Sequence, residues 1–376
     1  MKNCIVIVIF TQIVITIYKI INKGKTMKKI SKLLVGILFS ALAIAPSYAG
    51  EMAVTGGATA TYVTNGDDAS SGKNIGIANE LDFTASGELD NGYTWTYQVQ
   101  LDGGSTANDD TKLVIGTDMG TIGLFVTEGG MGSELAHGVG AMGVGFDYAS
   151  PSSFVTHYDV SDYANIQYHT PSDMLPFGIG AKIGFAPNMG ATTQLSAKES
   201  TGLPGTQAEG RSLTMAQLSA APIDGLSIQG SVAETSSEGT AANGEEGISA
   251  NVGGKYTIGQ ITVGYTEGGY QAATGATLAD ETVYYENKFY GIQFDVNDAL
   301  SVSYNVDESA QNTRVAVAAA ATAGTKTVTT MEQDSIMLAY TVGGATIGIT
   351  DVEVDNADYT AGKVENQTII SLGISF

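Results

Sequence analysis

The chain has 376 residues, 43% of them apolar and only 15% charged, with 48 glycines, 18 tyrosines and 39 acidic against 17 basic residues. A formal charge of −22 excludes a nucleic-acid partner and gives a field that attracts cations. Glycine, tyrosine and the small residues suit strands and turns. A mean hydropathy of +0.07 with so few charges fits a barrel with an apolar outside and a wet lumen better than it fits a soluble domain.

In chain order, residues Met1–Thr26 precede a complete secretory signal. Met27-Lys28-Lys29-Ile30-Ser31-Lys32 is a basic stretch, Leu33–Ala45 an apolar one, and Ser47-Tyr48-Ala49 a small-x-small cleavage site before Gly50. The expected organisation is an upstream extension from a misplaced start codon over 1–26, a signal peptide for the Sec pathway over 27–49, and a β-barrel domain over 50–376. A longer leader with a hydrophobic anchor from Cys4 to Ile21 is the alternative for the first segment. Cleavage after Ala49 removes seven basic residues and no acidic one, leaving 10 bases against 39 acids, a net of −29. It also removes Cys4, the one cysteine, so a disulfide is excluded and stability must come from a continuous sheet. No later run approaches the roughly 18 apolar residues of a spanning helix, so any membrane crossing is by strands.

The strands announce themselves by a period of two. Leu81, Phe83 and Ala85 take one phase, and Glu80, Asp82 and Thr84 the other. Tyr93, Trp95, Tyr97, Val99 and Leu101 oppose Thr94, Thr96, Gln98 and Gln100. Lys112 opposes Leu113 and Ile115, and Lys182 lies opposite Ile179, Ala181, Ile183 and Phe185. Ile248, Ala250, Val252, Tyr256 and Ile258 oppose Ser249, Asn251, Lys255 and Thr257; Leu300, Val302, Tyr304 and Val306 oppose Ser301, Ser303, Asn305 and Asp307. The apolar phase, with its Met and aromatic residues, reads as a lipid face and interfacial girdle, and the polar phase as a lumen.

Seven tight turns punctuate these strands, at Asp90–Gly92, Asp118–Gly120, Pro171–Phe177, Asp224–Gly225, Gly259–Gln260, Asn297–Asp298 and Gly343–Gly344. They alternate with eight longer polar connections, near 65–74, 103–110, 128–162, 187–210, 235–246, 269–280, 309–332 and 355–364. Fifteen connections imply sixteen strands, an antiparallel up-and-down transmembrane β-barrel with short turns at one end and long loops at the other. In the last strand Ile370, Leu372, Ile374 and Phe376 share the apolar phase; this pattern resembles the segment read by the barrel-assembly machinery, which makes these four residues a candidate assembly signal.

The whole of 50–376 resembles the trimeric general-diffusion porins of Gram-negative outer membranes, of the alphaproteobacterial type. The resemblance is carried by Ala49-Gly50-Glu51-Met52 opening the first strand, the hairpin Leu113–Leu124, the long third loop Glu128–Asp162, the restart Ala164-Asn165-Ile166-Gln167-Tyr168, and the terminal Phe376. It implies a third loop folded into the lumen, where its acids face basic groups on the wall, and a homotrimer; the small residues Gly56, Gly57, Ala58 and Ala60 would let neighbouring barrels pack closely. It also implies an outer-membrane location, with membrane lipid and lipopolysaccharide around the protein and small polar solutes and ions passing through. The candidate pore-lining residues are Glu80, Asp82, Lys112, Glu128, Glu134, Asp147, Lys182, Arg211 and Lys255, with Asp159 and Asp162 also on the loop. The scarcity of arginine, Arg211 and Arg314 alone, departs from the family's basic cluster.

No catalytic constellation emerges, and an enzyme is not expected. His137, His157 and His169 are too scattered for metal-ligand spacing, and Thr201–Thr206 lacks the spacing of a phosphate loop. Acid pairs at Asp67-Asp68, Asp109-Asp110 and Glu245-Glu246 serve solubility or, since oxygen ligands suit calcium, cation binding; no other cofactor is expected. Three readings follow: a passive, cation-preferring porin; a substrate-specific channel, which an aromatic track along the lumen would support although the inward positions are mostly Thr, Ser, Gln and Asn; and a non-conducting surface β-protein or adhesin.

Overall fold

The computed structural model describes residues 50–66, 72–102, 110–171, 173–189, 211–236, 246–273, 284–314 and 326–376. The expected extension, signal peptide and cleavage site at 1–49 lie outside these, as do Asp67, Asp68, Asp109, Glu245 and Thr201–Thr206.

Alternating residues in extended backbone expose a row of N–H and C=O groups on both strand edges, and closing the sheet on itself satisfies every row without leaving an edge. That is the solution here. Sixteen strands form one closed antiparallel barrel, each paired with its neighbours in sequence and the first with the last. They are β1 (Glu51–Asn65), β2 (Gly72–Glu88), β3 (Thr94–Asp102), β4 (Thr111–Thr117), β5 (Gly120–Val126), β6 (Asn165–His169), β7 (Gly180–Ala186), β8 (Leu213–Ile223), β9 (Leu226–Thr235), β10 (Ile248–Ile258), β11 (Ile261–Gln271), β12 (Tyr284–Asn297), β13 (Leu300–Arg314), β14 (Lys326–Val342), β15 (Ala345–Asp355) and β16 (Val364–Ser375).

The seven tight connections fall at one end, where the expected turn residues stand. Gly343 and Gly344 both have positive φ, 58° and 85°, the geometry that lets a two-residue turn follow the strand twist. Pro222 has no N–H for the ladder, and the β8–β9 register shifts between Ala220 and Ile223. At the closing seam β16 runs from Gln367 opposite Asn65 to Ser375 opposite Gly57, and the Gly56 and Phe376 backbones exchange two hydrogen bonds, of 2.8 and 2.9 Å.

Facing follows the predicted phases. Ile261, Val263, Tyr265, Tyr290, Ile292, Phe294, Tyr304, Ile336, Tyr340, Ile347, Ile349, Ile370, Leu372 and Ile374 are exposed on the outside, while Ser249, Asn251, Thr262, Thr266, Ser303, Asn305 and Asp307 are buried on the inside. Some large apolar residues break the rule. Phe125, Met215, Phe289, Met331 and Met337 occupy inward positions and are buried there, so the reading of every strand Met and aromatic as lipid face is corrected. What covers several of them is the third loop.

Candidate functional site

The connection from β5 to β6 enters the barrel and lies against its inner wall. Its base is tied first. The buried Asp159 carboxylate accepts the backbone N–H groups of Met131 (2.8 Å), Gly132 (2.5 Å) and Ser161 (3.0 Å), joining the outgoing and returning limbs. From β6 the Asn165 amide donates to the carbonyls of Glu128, Val160 and Tyr163, and the Gln167 amide donates to that of Gly129.

The outgoing limb then crosses the wall strand by strand. Gln217 of β8 donates to Met131 O (2.9 Å) and Gln229 of β9 to Gly132 O (3.0 Å). His137 N–H donates to Thr266 of β11, Asn305 of β13 donates to Val139 O (2.7 Å), Ala141 N–H donates to Ser303, and Gln333 of β14 donates to Ala149 O (3.0 Å). At the far side Ser152 donates to Glu365 of β16 (3.0 Å). The return limb runs nearer the loop end, with Asn287 donating to Val155 O, Asn251 to Thr156 O, and Tyr158 N–H to Ser249. The approach is close enough to require glycine at position 264, where a Cβ would stand 2.1 Å from the His137 carbonyl oxygen.

Two apolar feet complete the seat. Met131 and Val160 of the loop pack with Ala186, Leu213, Met215 and Ala233 of the wall, and Ala149, Tyr148 and Phe154 pack with Met331, Val352, Val354 and Ala357. Between them Phe289 carries the rings of Phe146 (centroids 4.3 Å apart), Phe154 and His137. The loop therefore lies along β8–β16 and buries the inward polar residues it crosses, among them Gln217, Asn251, Thr266, Asn305 and Gln333, while Lys255 stays exposed. It leaves the inward faces of β1–β4 uncovered: Glu80 is exposed and Asp82 half-exposed.

On that open wall, rows run across the strands by register. Thr55, Asp82 and Gln100 form one, Gly57, Glu80 and Asp102 a second, and Thr84, Gln98 and Lys112 a third. Gln98 donates to Asp82 (2.5 Å), and Lys112 pairs with Glu128 at the loop's start (3.0 Å). Lys112 and Glu128 thus meet at the edge where loop and wall join, with Asp82 linked to that row through Gln98, while Glu80 lies further along β2 in the row of Gly57 and Asp102.

The other expected residues are dispersed. Asp147 is exposed on the loop, whereas Glu134 is only 7% exposed, 3.4 Å from His157. Burial pushes the Glu134 carboxyl above its usual range, with His157 pulling the other way. Asp159 is consumed in tying the loop, and burial raises Asp162 beside it. Lys182 stands in register between His169 and Gln217, Arg211 lies just before β8 with its carbonyl bonded to Met189 N, and Lys255 lies alongside Gly138 of the loop. His137 is wholly buried, neither ring nitrogen has a hydrogen-bond partner among the described residues, and burial pushes it down to about 4. Ile370, Leu372, Ile374 and Phe376 all face outward and are exposed. Among the described residues no group of three or more His, Cys, Asp or Glu could hold a metal ion.

The alternation left one set of residues unnoticed. Tyr158, Tyr270, Tyr285 and Tyr359 form a row across the loop end of the inner wall, with successive centroids 4.7, 6.0 and 5.1 Å apart. The signal available was phase, since Tyr270 and Tyr285 stand at inward positions of strands whose other tyrosines face out.

No protein-family model and no curated protein matches the sequence. Solved structures do. In-vitro folded OmpT, an outer membrane protein of Vibrio cholerae, superposes with a TM-score of 0.62 at 12% identity, over 89% of this chain and all of that one. A refined porin structure gives 0.58 at 14% identity over 87% of this chain and all of that one, and the anion-selective porin from Comamonas acidovorans 0.56 at 12% over the same shares. What the chain has in common with these proteins is the fold, a closed porin-type β-barrel.

Proposed function

We propose that the chain is an outer-membrane porin, a water-filled channel through which ions and small hydrophilic solutes diffuse passively. The observation that carries the reading is the third loop, bonded to one side of the lumen inside a barrel whose outside is an apolar belt: that arrangement narrows an aqueous passage without plugging it. Export by a cleaved signal peptide, insertion by the barrel-assembly machinery, assembly as a homotrimer and the alphaproteobacterial type belong to the same proposal. One solved form of Vibrio cholerae OmpT is described as a trimer. Cations are preferred in this reading, because Glu80, Asp82 and Asp102 face the uncovered side while Lys112 is neutralised by Glu128. Purified protein in a planar bilayer should give stepwise conductance with a reversal potential of cation sign in a salt gradient. Silent protein that is nevertheless folded would refute the channel, and an anion-signed potential would refute the preference.

A second reading is favoured by the tyrosine row. Aromatic rings along a channel wall offer stacking surface to the apolar faces of sugar rings, so a solute-selective channel would use Tyr158, Tyr270, Tyr285 and Tyr359 as its track. Conductance that saturates with added oligosaccharide would separate this from general diffusion.

A further inference from the structure

Four non-glycine residues have positive φ among those described. Three of them, Asn356 (51°), Asp358 (51°) and Tyr359 (55°), stand in the connection from β15 to β16. Asn and Asp enter this region at little cost, but a bulky tyrosine does not, and it stays there only where its surroundings over-determine it. The surroundings are specific. The Asn356 amide donates to Thr330 O (2.8 Å), and its side-chain oxygen accepts Gly362 N–H (2.9 Å). Ala357 N–H donates to Lys363 O (2.9 Å), and Ala357 itself is wholly buried with Met331, Val352 and Val354.

This bent backbone delivers the Tyr359 side chain to the third loop. The hydroxyl accepts Val155 N–H (3.3 Å) and lies 2.8 Å from Ser309 Oγ of β13, while the ring meets Tyr285 edge-on with centroids 5.1 Å apart. A second arm leaves the same connection. Lys363 Nζ is 2.6 Å from the Asp358 carboxylate and 2.5 Å from Glu365 Oε1, and Glu365 Oε2 accepts the Ser152 hydroxyl (3.0 Å). Glu365 is only 7% exposed, so Lys363 compensates a carboxylate that would otherwise be a nearly buried, uncovered charge. Ser152 and Val155 bracket the bend at which the outgoing limb of the loop becomes the return limb. Both arms therefore hold one bend.

We propose that the β15–β16 connection is a latch for the third loop, with Tyr359 and Lys363 as positioning residues that act through Val155 and Glu365. With both arms engaged the bend stays against the inner wall. With either arm released it leaves the wall and obstructs the passage until the arm re-engages. The Asp159 tie and the amide contacts of Gln217, Gln229 and Asn305 are untouched by release, so only the far part of the loop moves. The electrical consequence rests on the channel reading; the latch contact does not.

Hydrogen exchange of the full folded barrel reads the latch, and single-channel recording reads its consequence. Tyr359→Phe keeps the ring and removes the hydroxyl, Lys363→Met keeps the stem and removes the charge, and Lys363→Arg restores it. The Phe and Met variants should each speed exchange of residues 152–155 about five- to tenfold, the scale of one buried or charge-assisted hydrogen bond. Residues 131–137 should exchange as before, and Lys363→Arg should behave as wild type. In a planar bilayer the same two variants should keep the full open conductance and close partially, and briefly, about five- to tenfold more often. Raised salt should bring the wild type toward Lys363→Met, because it screens the ion pairs. Heat-modifiable gel migration checks that each variant is a closed barrel. Exchange at 152–155 indifferent to both substitutions, an equal acceleration at 131–137, or closures unchanged in a conducting barrel would overturn the proposal. Faster exchange at 152–155 in a barrel whose wild type does not conduct would count against the channel and leave the latch standing.

Discussion

Strands β1–β4 and strands β8–β16 are built on the same backbone ladder, yet their inward faces live in different surroundings. Gln100 on β3 and Asn305 on β13 have the same chemistry and occupy the same phase. Gln100 looks across an uncovered lumen; Asn305 is wholly buried and spends its amide on a loop carbonyl. The contrast teaches that an amide-rich inner wall serves two purposes. It wets a channel where nothing covers it, and it docks an irregular loop where something does, because each side-chain N–H satisfies a carbonyl that would otherwise be buried without a partner. Loop 3 has only one helical turn, Gly145–Tyr148, and a 3-10 turn, Val160–Asp162, of its own. The wall supplies its hydrogen bonds.

Breaking the contrast outright should have the largest effect. Removing residues 133–157 while keeping Met131, Gly132 and Asp159 at the base would strip the coated side bare, and single-channel conductance should rise several-fold with the barrel still closed. An unchanged conductance in a planar bilayer would mean that the loop is not the narrow part of the passage.

A smaller effect should separate charges on the two sides. Glu80→Gln with Asp82→Asn acts on the open wall and should reduce the reversal potential in a salt gradient. Glu134→Gln changes a carboxyl that is buried and faces His157, and should change the potential less. The difference should shrink as salt rises, since the Debye length is about 10 Å at 0.1 M. Equal effects of the two substitutions would put Glu134 on the permeation path.

The smallest effect concerns the seat itself. His137 titrates near 6.5 when free, and burial under the loop pushes it down to about 4. Between those values an unseated loop takes up a proton that the seated loop refuses, so seating is strongest above pH 6.5 and weakens as pH falls toward 4. Glu134 and Asp162, both displaced upward by burial, oppose this and are best removed as Glu134→Gln with Asp162→Asn. In that background, amide exchange of residues 137–141 should accelerate on acidification, and His137→Phe should flatten the response. A pH-independent exchange rate would show that the ring is not desolvated in solution.

How much of this was legible in the sequence follows from the same comparison. Alternation located the strands and their facing, and the glycine and asparagine dipeptides located the turns, because both depend on local geometry. The third loop was recognisable by length and glycine content. Its route was not, since an inward Asn or Gln reads alike whether water or a carbonyl awaits it. The partial clue is Phe289, an aromatic in the polar phase between Lys288 and Tyr290: a large apolar side chain pointing into a lumen implies something there to cover it. Glu134 illustrates the converse, a carboxylate on a loop that reads as a channel charge and folds into a buried pair with histidine.

The seam between β1 and β16 carries a consequence for how the molecule comes together. Every other pairing joins strands adjacent in sequence, so fifteen hairpin-like contacts can form from local chain segments. The sixteenth brings Gly57 to Ser375 and Asn65 to Gln367. Loop-closure entropy grows only logarithmically with separation, by about 0.6 kcal/mol per doubling, so distance in the chain is not the main obstacle. The obstacle is the interval before closure, when a nearly finished sheet presents two long unpaired edges to anything else with a free edge. A single seam therefore governs both the cooperativity of the finished barrel and its exposure to aggregation on the way, and a substitution that weakens the β1–β16 register should act on yield long before it acts on conduction.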